Sequence, residues 1–160
     1  MEVFEKSIEI QAPAEFCYRY WREFSCFSSF MHNVKDVYPL QDNVWRWVLI
    51  GPQGDESTWD LLLSEDIPSR RISWRTLSGP DIGLWVDIDF LKINSDLTQI
   101  TVTTTLFPPD SPIGNLMKEL FGISEQTIAR NLEEFKVVVE SKAERQIYQG
   151  HSVGHRTMGR

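Results

Sequence analysis

Over its first ten positions the chain alternates: Phe4, Lys6, Ile8 and Ile10 share one parity, while Glu5, Ser7 and Glu9 share the other. A period of two is what a strand with one buried face shows. Ala12-Pro13-Ala14-Glu15 then opens a helix, with Pro early, where its missing N–H costs little, and Glu at the positive helix end. Cys17, Tyr20, Trp21 and Phe24 recur at helical spacing and form an apolar stripe. Ser25 to Met31 is short and rich in Phe, and predicts a second small helix or a covering turn.

From Val34 to Phe107 the signals are those of strands. Val34-Lys35-Asp36-Val37-Tyr38 runs into a turn at Gln41-Asp42-Asn43, and Val44 to Ile50 is bounded by Gly51-Pro52-Gln53-Gly54. Ser57 to Ile67, Arg71 to Leu77, Gly83 to Ile93 and Thr98 to Phe107 follow, with turns at Pro68-Ser69-Arg70 and Gly79-Pro80. The β-branched run Ile100-Thr101-Val102-Thr103-Thr104-Thr105 is hard to read any other way. Short turns of Gly, Pro, Asn and Asp make sequential strands antiparallel neighbours, so the segment predicts a curled meander.

The chain then turns helical. Ser111-Pro112 offers an N-cap with Pro at the first helical position, and Ile113, Leu116, Met117, Leu120 and Phe121 make one apolar face. Gly122 breaks or bends it, and Ser124 with Glu125 restarts it. Ile128, Leu132, Phe135 and Val139 continue the stripe to about Arg145, roughly 20 residues or about 30 Å. A helix of that length must lay its apolar face on something large, and the sheet is the only candidate. Residues 1–145 therefore form one domain. Residues 146–160 are a polar, glycine-bearing tail, expected to be flexible unless it docks.

Length agrees with a single domain: 160 residues bury enough surface to need no metal or disulfide staple. Sixteen basic against 23 acidic side chains leave a net charge of −7. That balance argues against a phosphate-backbone partner, so no nucleic acid is expected. No apolar run approaches the roughly 20 residues of a membrane span, and Met1-Glu2-Val3-Phe4-Glu5-Lys6 lacks the layout of a signal peptide. The cytoplasm is the expected address. Cys17 and Cys26 make no disulfide framework and read as small apolar residues, with no cation nearby to stabilise a thiolate. Gly51-Pro52-Gln53-Gly54 is a turn without the helix, Lys and Ser/Thr of a phosphate loop. His151 and His155 have a metal-like spacing, but Gly150 and Gly154 argue against a helix there and nothing completes a site. No cofactor is expected.

One strand, two short helices, six strands and a long C-terminal helix is the order of an α+β helix-grip fold, a curved antiparallel sheet of about seven strands wrapped round the last helix. The residues strengthen this reading. Ser7-Ile8-Glu9-Ile10-Gln11-Ala12-Pro13-Ala14 with Trp21, then Trp59-Asp60, Pro68, Arg71-Ile72-Ser73-Trp74-Arg75, Ser78-Gly79, Gly83 and Phe90 stand in sequence. Thr98-Gln99-Ile100-Thr101-Val102 and Asn131-Leu132-Glu133-Glu134-Phe135-Lys136 complete the set. Over residues 3–142 the chain resembles the polyketide cyclase/dehydrase branch of the START-like (SRPBCC) superfamily. The resemblance implies a cavity for a hydrophobic molecule. The superfamily holds aromatase/cyclases, coenzyme-Q-binding proteins and lipid carriers, with no catalytic residue common to all, so it fixes architecture better than activity.

Strand parity selects the wall of such a cavity. Trp59, Leu61 and Leu63 oppose Asp60, Leu62 and Ser64; Ile72, Trp74 and Thr76 oppose Arg71, Ser73 and Arg75. Leu84, Val86, Ile88 and Phe90 oppose Trp85, Asp87, Asp89 and Leu91; Ile100, Val102, Thr104 and Leu106 oppose Gln99, Thr101, Thr103 and Thr105. The apolar set of each should face the concave side. Trp45 and Trp47 share a parity with Leu49, but both faces of that strand are apolar. The candidate ligand-binding residues are Phe27, Phe30, Met31, Trp47, Trp59, Leu61, Trp74, Val86, Ile88, Phe90, Val102, Leu120 and Phe121. The same side chains also suit a closed core, and only those near the expected mouth (Phe27, Phe30, Met31, Leu120 and Phe121) read equally as a lid.

Catalytic signals are thin, and no catalytic residue is assigned. Asp87 and Asp89 pose as an acid/base pair but point to solvent on this register, as do Asp60 and Arg75, which suit cross-strand ion pairs. Arg46 would enter the cavity only if its strand bulges; Tyr18, Tyr20, Tyr38 and His32 lie at edges. The leading expectation is a carrier or binding protein for a lipid-, quinone- or polyketide-like molecule. The alternative is an aromatase/cyclase or dehydrase, in which proximity does most of the chemistry and Arg46, Tyr38 or His32 helps. A third reading makes the chain an interaction module docking through its acidic face or basic tail, although no protein partner is named by the sequence.

Overall fold

A computed structural model describes residues 1–51, 53–77, 83–107, 112, 115, 118–119 and 123–158, with residues 146–158 described by their backbone. Strand β1 (Glu2–Ile10) leads to helix α1 (Ala14–Arg22) and a 3₁₀ segment (Phe24–Ser29). Strands β2 (Val34–Gln41), β3 (Val44–Ile50), β4 (Glu56–Ile67), β5 (Arg71–Thr76), β6 (Gly83–Asn94) and β7 (Leu97–Phe107) follow, then helix α2 (Glu125–Met158). The sheet order is β1-β7-β6-β5-β4-β3-β2, antiparallel throughout. The meander thus runs uninterrupted from β2 to β7, and the first strand closes beside the last.

The turns explain the hairpins. Asn43 takes the left-handed conformation (φ 59°) between β2 and β3, where Asn is among the few residues that adopt it readily. Ladder irregularities between Val34 and Asp36, Leu63 and Glu65, and Lys92 and Asn94 sharpen the local twist and curl the sheet. Gly83 lies directly under the ring of Phe107, so an added Cβ would come within 2.3 Å of that ring. Only hydrogen lets the two strands approach there.

Parity along each strand holds as expected. Leu61, Leu63, Ile72, Trp74, Leu84, Ile88, Phe90, Ile100, Val102 and Leu106 are buried on the concave side. On β3 the ambiguity resolves with Trp45, Trp47 and Leu49 turned toward the aromatic core. Helix α2 starts where Ser124 Oγ accepts the Thr127 N–H at 3.1 Å, a cap of the expected kind. Its apolar stripe, Leu132, Phe135 and Val139, is fully buried. Lys136 Nζ donates to the Glu9 carbonyl at 3.0 Å and Glu140 accepts the Gln11 N–H at 2.8 Å, tying α2 to the end of β1.

One boundary is corrected. The last helix was expected to end near Arg145, but its backbone stays helical to Met158. Gly150 and Gly154 each disfavour a helix by about 1 kcal/mol without removing a backbone donor, so they weaken the ladder and do not stop it. The face predicted for Ile113, Leu116, Met117, Leu120 and Phe121, and the role of Gly122, lie outside the described residues.

Candidate functional site: an apolar chamber with a polar throat

Between the concave sheet, the 3₁₀ segment and the start of α2 there is an internal space. Trp47, Leu61, Trp74, Val86, Ile88 and Val102 form its sheet wall, and Trp21, Phe27, Met31, Ile123, Ile128 and Leu132 cover it. The centres of water-sized spheres range over about 130 Å³ of it, an order of magnitude above the ~10–15 Å³ that one water needs. It is a chamber rather than a packing defect. The rings around it meet edge to face: Trp47 and Trp74 at 5.3 Å and 86°, Phe24 and Trp74 at 4.6 Å and 66°. Such contacts, worth about 0.5–1.5 kcal/mol each, hold the wall in one shape.

Asn33, Thr127 and Asn131 belong both to this chamber and to a second space lined by His32, Ile50, Gly51, Glu119 and Arg130. The second space measures about 220 Å³ in the same terms. These three polar side chains stand between the apolar chamber and the second space, at the N-terminal end of α2, and form the chamber's throat. None of the described residues lining the chamber is ionisable. His32, expected as an exposed residue near the mouth, stands there with Nε2 2.9 Å from Glu134 Oε1 on α2.

Phe27, Met31, Trp47, Leu61, Trp74, Val86, Ile88 and Val102, named from the sequence, all line the chamber. Phe30 and Phe90 do not: Phe30 packs among Trp21, Phe27 and Phe135, and Phe90 against Tyr18 and Trp21. Trp59 is half-buried and gives its Nε1–H to Ser57 Oγ at 3.2 Å, outside the wall. Leu120 and Phe121 lie outside the described residues. Sequence reasoning missed Trp21, read as helix core, and the throat residues Asn33, Thr127 and Asn131. The signal for the last two was present, because Thr127 and Asn131 are four apart beside the apolar stripe of α2.

The catalytic suspects lie elsewhere. Arg46 faces outward and grips Asp60 through Nε and Nη2 at 2.9 and 3.1 Å, which holds the Asp60 carboxyl below its usual range. Arg46 stays outside the cavity, as expected of a strand that keeps its register with β4 and does not bulge. Asp60 and Arg75 each form a cross-strand pair, with Arg46 and Asp87 respectively. Tyr18 donates to Asp66, which also takes Arg22 Nε at 2.9 Å; burial, with Asp66 beside it, pushes the phenol up to about 12. That clip ties α1 to β4. Cys17 is a core thiol pushed up to about 11 by burial, and Cys26 is exposed and free.

Asp87 and Asp89 sit in a network on the convex face. Asp87 accepts Ser73 Oγ at 2.6 Å and pairs with Arg71 and Arg75 at 3.2 Å, while Arg71 also reaches Glu65 and Asp89 at 3.4 Å. Burial would raise Asp87, but Ser73, Arg71 and Arg75 outweigh it and hold the carboxyl below its ordinary value. Burial, with Asp87 and the nearby glutamates, raises Asp89 despite Arg71. These carboxylates brace the sheet and line neither the chamber nor the space beside it. Asp87 is 15% exposed, so Asp87→Asn should lower stability at neutral pH by about 1–3 kcal/mol. A depressed carboxyl contributes stability above its unfolded value and loses it as pH falls through the folded one. Urea titrations below about pH 4 should accordingly show a shallower acid loss in Asp87→Asn than in the native protein. An unchanged acid limb would assign the loss to other groups.

Residues 10–136 match the family described as polyketide cyclase/dehydrase and lipid transport. The chain belongs to this family. The chain is 28% identical over 144 residues to an uncharacterised 17.2 kDa protein from the melC2-rnhH intergenic region of Streptomyces lincolnensis, covering 90% of this chain and 93% of that one. Among solved structures it is similar to DR_A0006 from Deinococcus radiodurans, with 26% identity, a TM-score of 0.68, and 89% and 99% of the two chains covered. A START superfamily protein from Mycobacterium smegmatis (14% identity, TM-score 0.63, 90% and 98% covered) shares the fold. So does the Zhui aromatase/cyclase from a Streptomyces species (18% identity, TM-score 0.66, 91% and 95% covered). The helix-grip, START-like architecture expected from the sequence is thus the one observed, and it is a fold of the hydrophobic-ligand-binding type. Among the described residues no helix is long and apolar enough to cross a membrane.

Proposed function

We propose that the protein is a carrier or binding protein that holds a hydrophobic small molecule of lipid, quinone or polyketide type in the chamber. One observation carries this reading: a preformed apolar space, without ionisable groups among its described lining, adjoined by a second space at the polar side chains Asn33, Thr127 and Asn131. Entry strips water from the guest's apolar surface at a gain of about 25 cal/mol per Å². The throat amides keep the exit hydrated, so release needs no buried charge to be broken.

Family membership supports a second reading, an aromatase/cyclase or dehydrase working in the same space. Catalysis would then rest on holding a flexible polyketone folded, with Thr104 in the wall and Asn33, Thr127 and Asn131 at the throat as its polar groups, and His32 beyond them. Native mass spectrometry on gently purified protein tests the first reading. A hydrophobic adduct that solvent extraction releases is the expected result. A clean apo mass, together with failure to take up an apolar fluorophore, would overturn it. Turnover of an added poly-β-ketone thioester would favour the second.

A further inference from the structure

Two side chains of the throat have hydrogen-bonding capacity left over. Thr127 and Asn131 lie one turn apart on α2, both half-buried, and both line the chamber and the space beside it. Ser124 Oγ donates to Thr127 Oγ1 at 2.9 Å, so the Thr127 hydroxyl still has its own hydrogen to give. The Asn131 amide makes no hydrogen bond among the described residues, and its polar atoms are not sealed from water. It offers an accepting oxygen and a donating NH₂. The formal charges beside this pair cancel. Arg130 and Glu119 line the second space without an ion-pair partner among the described residues, and His32 is already held by Glu134.

Resting on the reading that the chamber holds a small molecule, we propose that Thr127 and Asn131 bind a polar end of that guest. This end is an uncharged group that both accepts and donates, a hydroxyl or a carboxamide. Its oxygen takes the Thr127 hydroxyl hydrogen, its own hydrogen goes to the Asn131 oxygen, and the apolar body fills the chamber. A carboxylate has no hydrogen for Asn131 Oδ1 and meets Glu119 as well as Arg130. A hydrocarbon leaves both side chains unused. The guest is an amphiphile with its head on α2.

The test uses three probes with one phenylalkyl body and different ends: hexylbenzene, 6-phenylhexan-1-ol and, at about pH 8 where it is ionised, 6-phenylhexanoate. The full-length protein should bind the alcohol about three- to tenfold more tightly than the hydrocarbon, the gain of a net hydrogen bond. A hydroxyl buried against apolar walls alone would instead bind far more weakly than the hydrocarbon. The carboxylate should bind about threefold or more below the alcohol. In Asn131→Leu the alcohol's advantage should fall to about one, whereas a side chain that only shaped the chamber would move both probes together. Thr127→Val serves if Asn131→Leu fails to fold, and the ratio in the native protein needs no variant. Equal or weaker binding of the alcohol, with hexylbenzene bound, would overturn the proposal and leave the chamber as a binding site. Tightest binding by the carboxylate would overturn it too, as would an advantage lost in Thr104→Val but kept in Asn131→Leu. Failure of all three probes to bind would overturn the chamber reading, and this one with it.

Discussion

Phe135→Ala should cost about 3–5 kcal/mol of unfolding free energy, the largest single-site loss anticipated in this chain. Phe135 is 1% exposed on the inner face of α2. Its ring lies 4.7 Å from Trp21 on α1 and 5.3 Å from Phe30, just after the 3₁₀ segment. These neighbours sit on separate elements, each already pinned by its own rings, so the hole cannot collapse as it would beside one mobile side chain. For a domain of this size the loss should lower the melting temperature by roughly 6–20 °C. Val137→Ala, two residues along and 68% exposed, is the matched control and should change stability by less than about 0.5 kcal/mol. Urea denaturation gives both values. A loss below that of an ordinary surface change at Phe135 would mean that α2 is not the clamp its packing implies.

A second large effect is expected on binding rather than on folding. Val86 and Val102 lie on β6 and β7, both in the chamber wall. Replacing either by Phe puts a ring into space that is otherwise open. Ordinary cores resist added volume at a cost of about 1–3 kcal/mol, but here part of the ring fills the chamber and regains contacts. Stability should therefore move by less than about 1.5 kcal/mol, while uptake of an apolar fluorophore falls at least a hundredfold. Retained uptake in both variants would place the guest somewhere else. A collapse in stability would mean that the space closes when empty.

The strands and their facing were legible because one buried face imposes a period of two, and that rule held on β4, β5, β6 and β7. The third strand was not legible, since Val44, Val48 and the two tryptophans make both its faces apolar. Only tertiary contact with Phe24, Phe27 and Trp74 chooses between them. Core and chamber residues share one chemistry, so sequence could name Trp74 and Val86 but not exclude Phe30 and Phe90. What separates them is whether another ring happens to occupy the adjacent volume. The throat was missed for a different reason: Asn33, Thr127 and Asn131 become a site only where a loop from one half of the chain meets a helix from the other. The end of α2 was misjudged because glycine weakens a helix by an amount that a long cooperative ladder tolerates.

The pairing of β1 with β7 has a consequence for how the chain is made. Glu2 sits opposite Leu106 and Ile10 opposite Thr98, so β1 has no hydrogen-bonding mate until β7 has been made. Throughout that interval its backbone groups and its inward-facing Ile8 and Ile10 remain unpaired, a sticky edge of the kind that nascent chains misuse. Closing a loop of that span is slow compared with forming the local hairpins β2 to β7. The local hairpins of the meander thus form before β1 can join them, and a chain stalled before Leu97 would carry a sheet with one side unsealed.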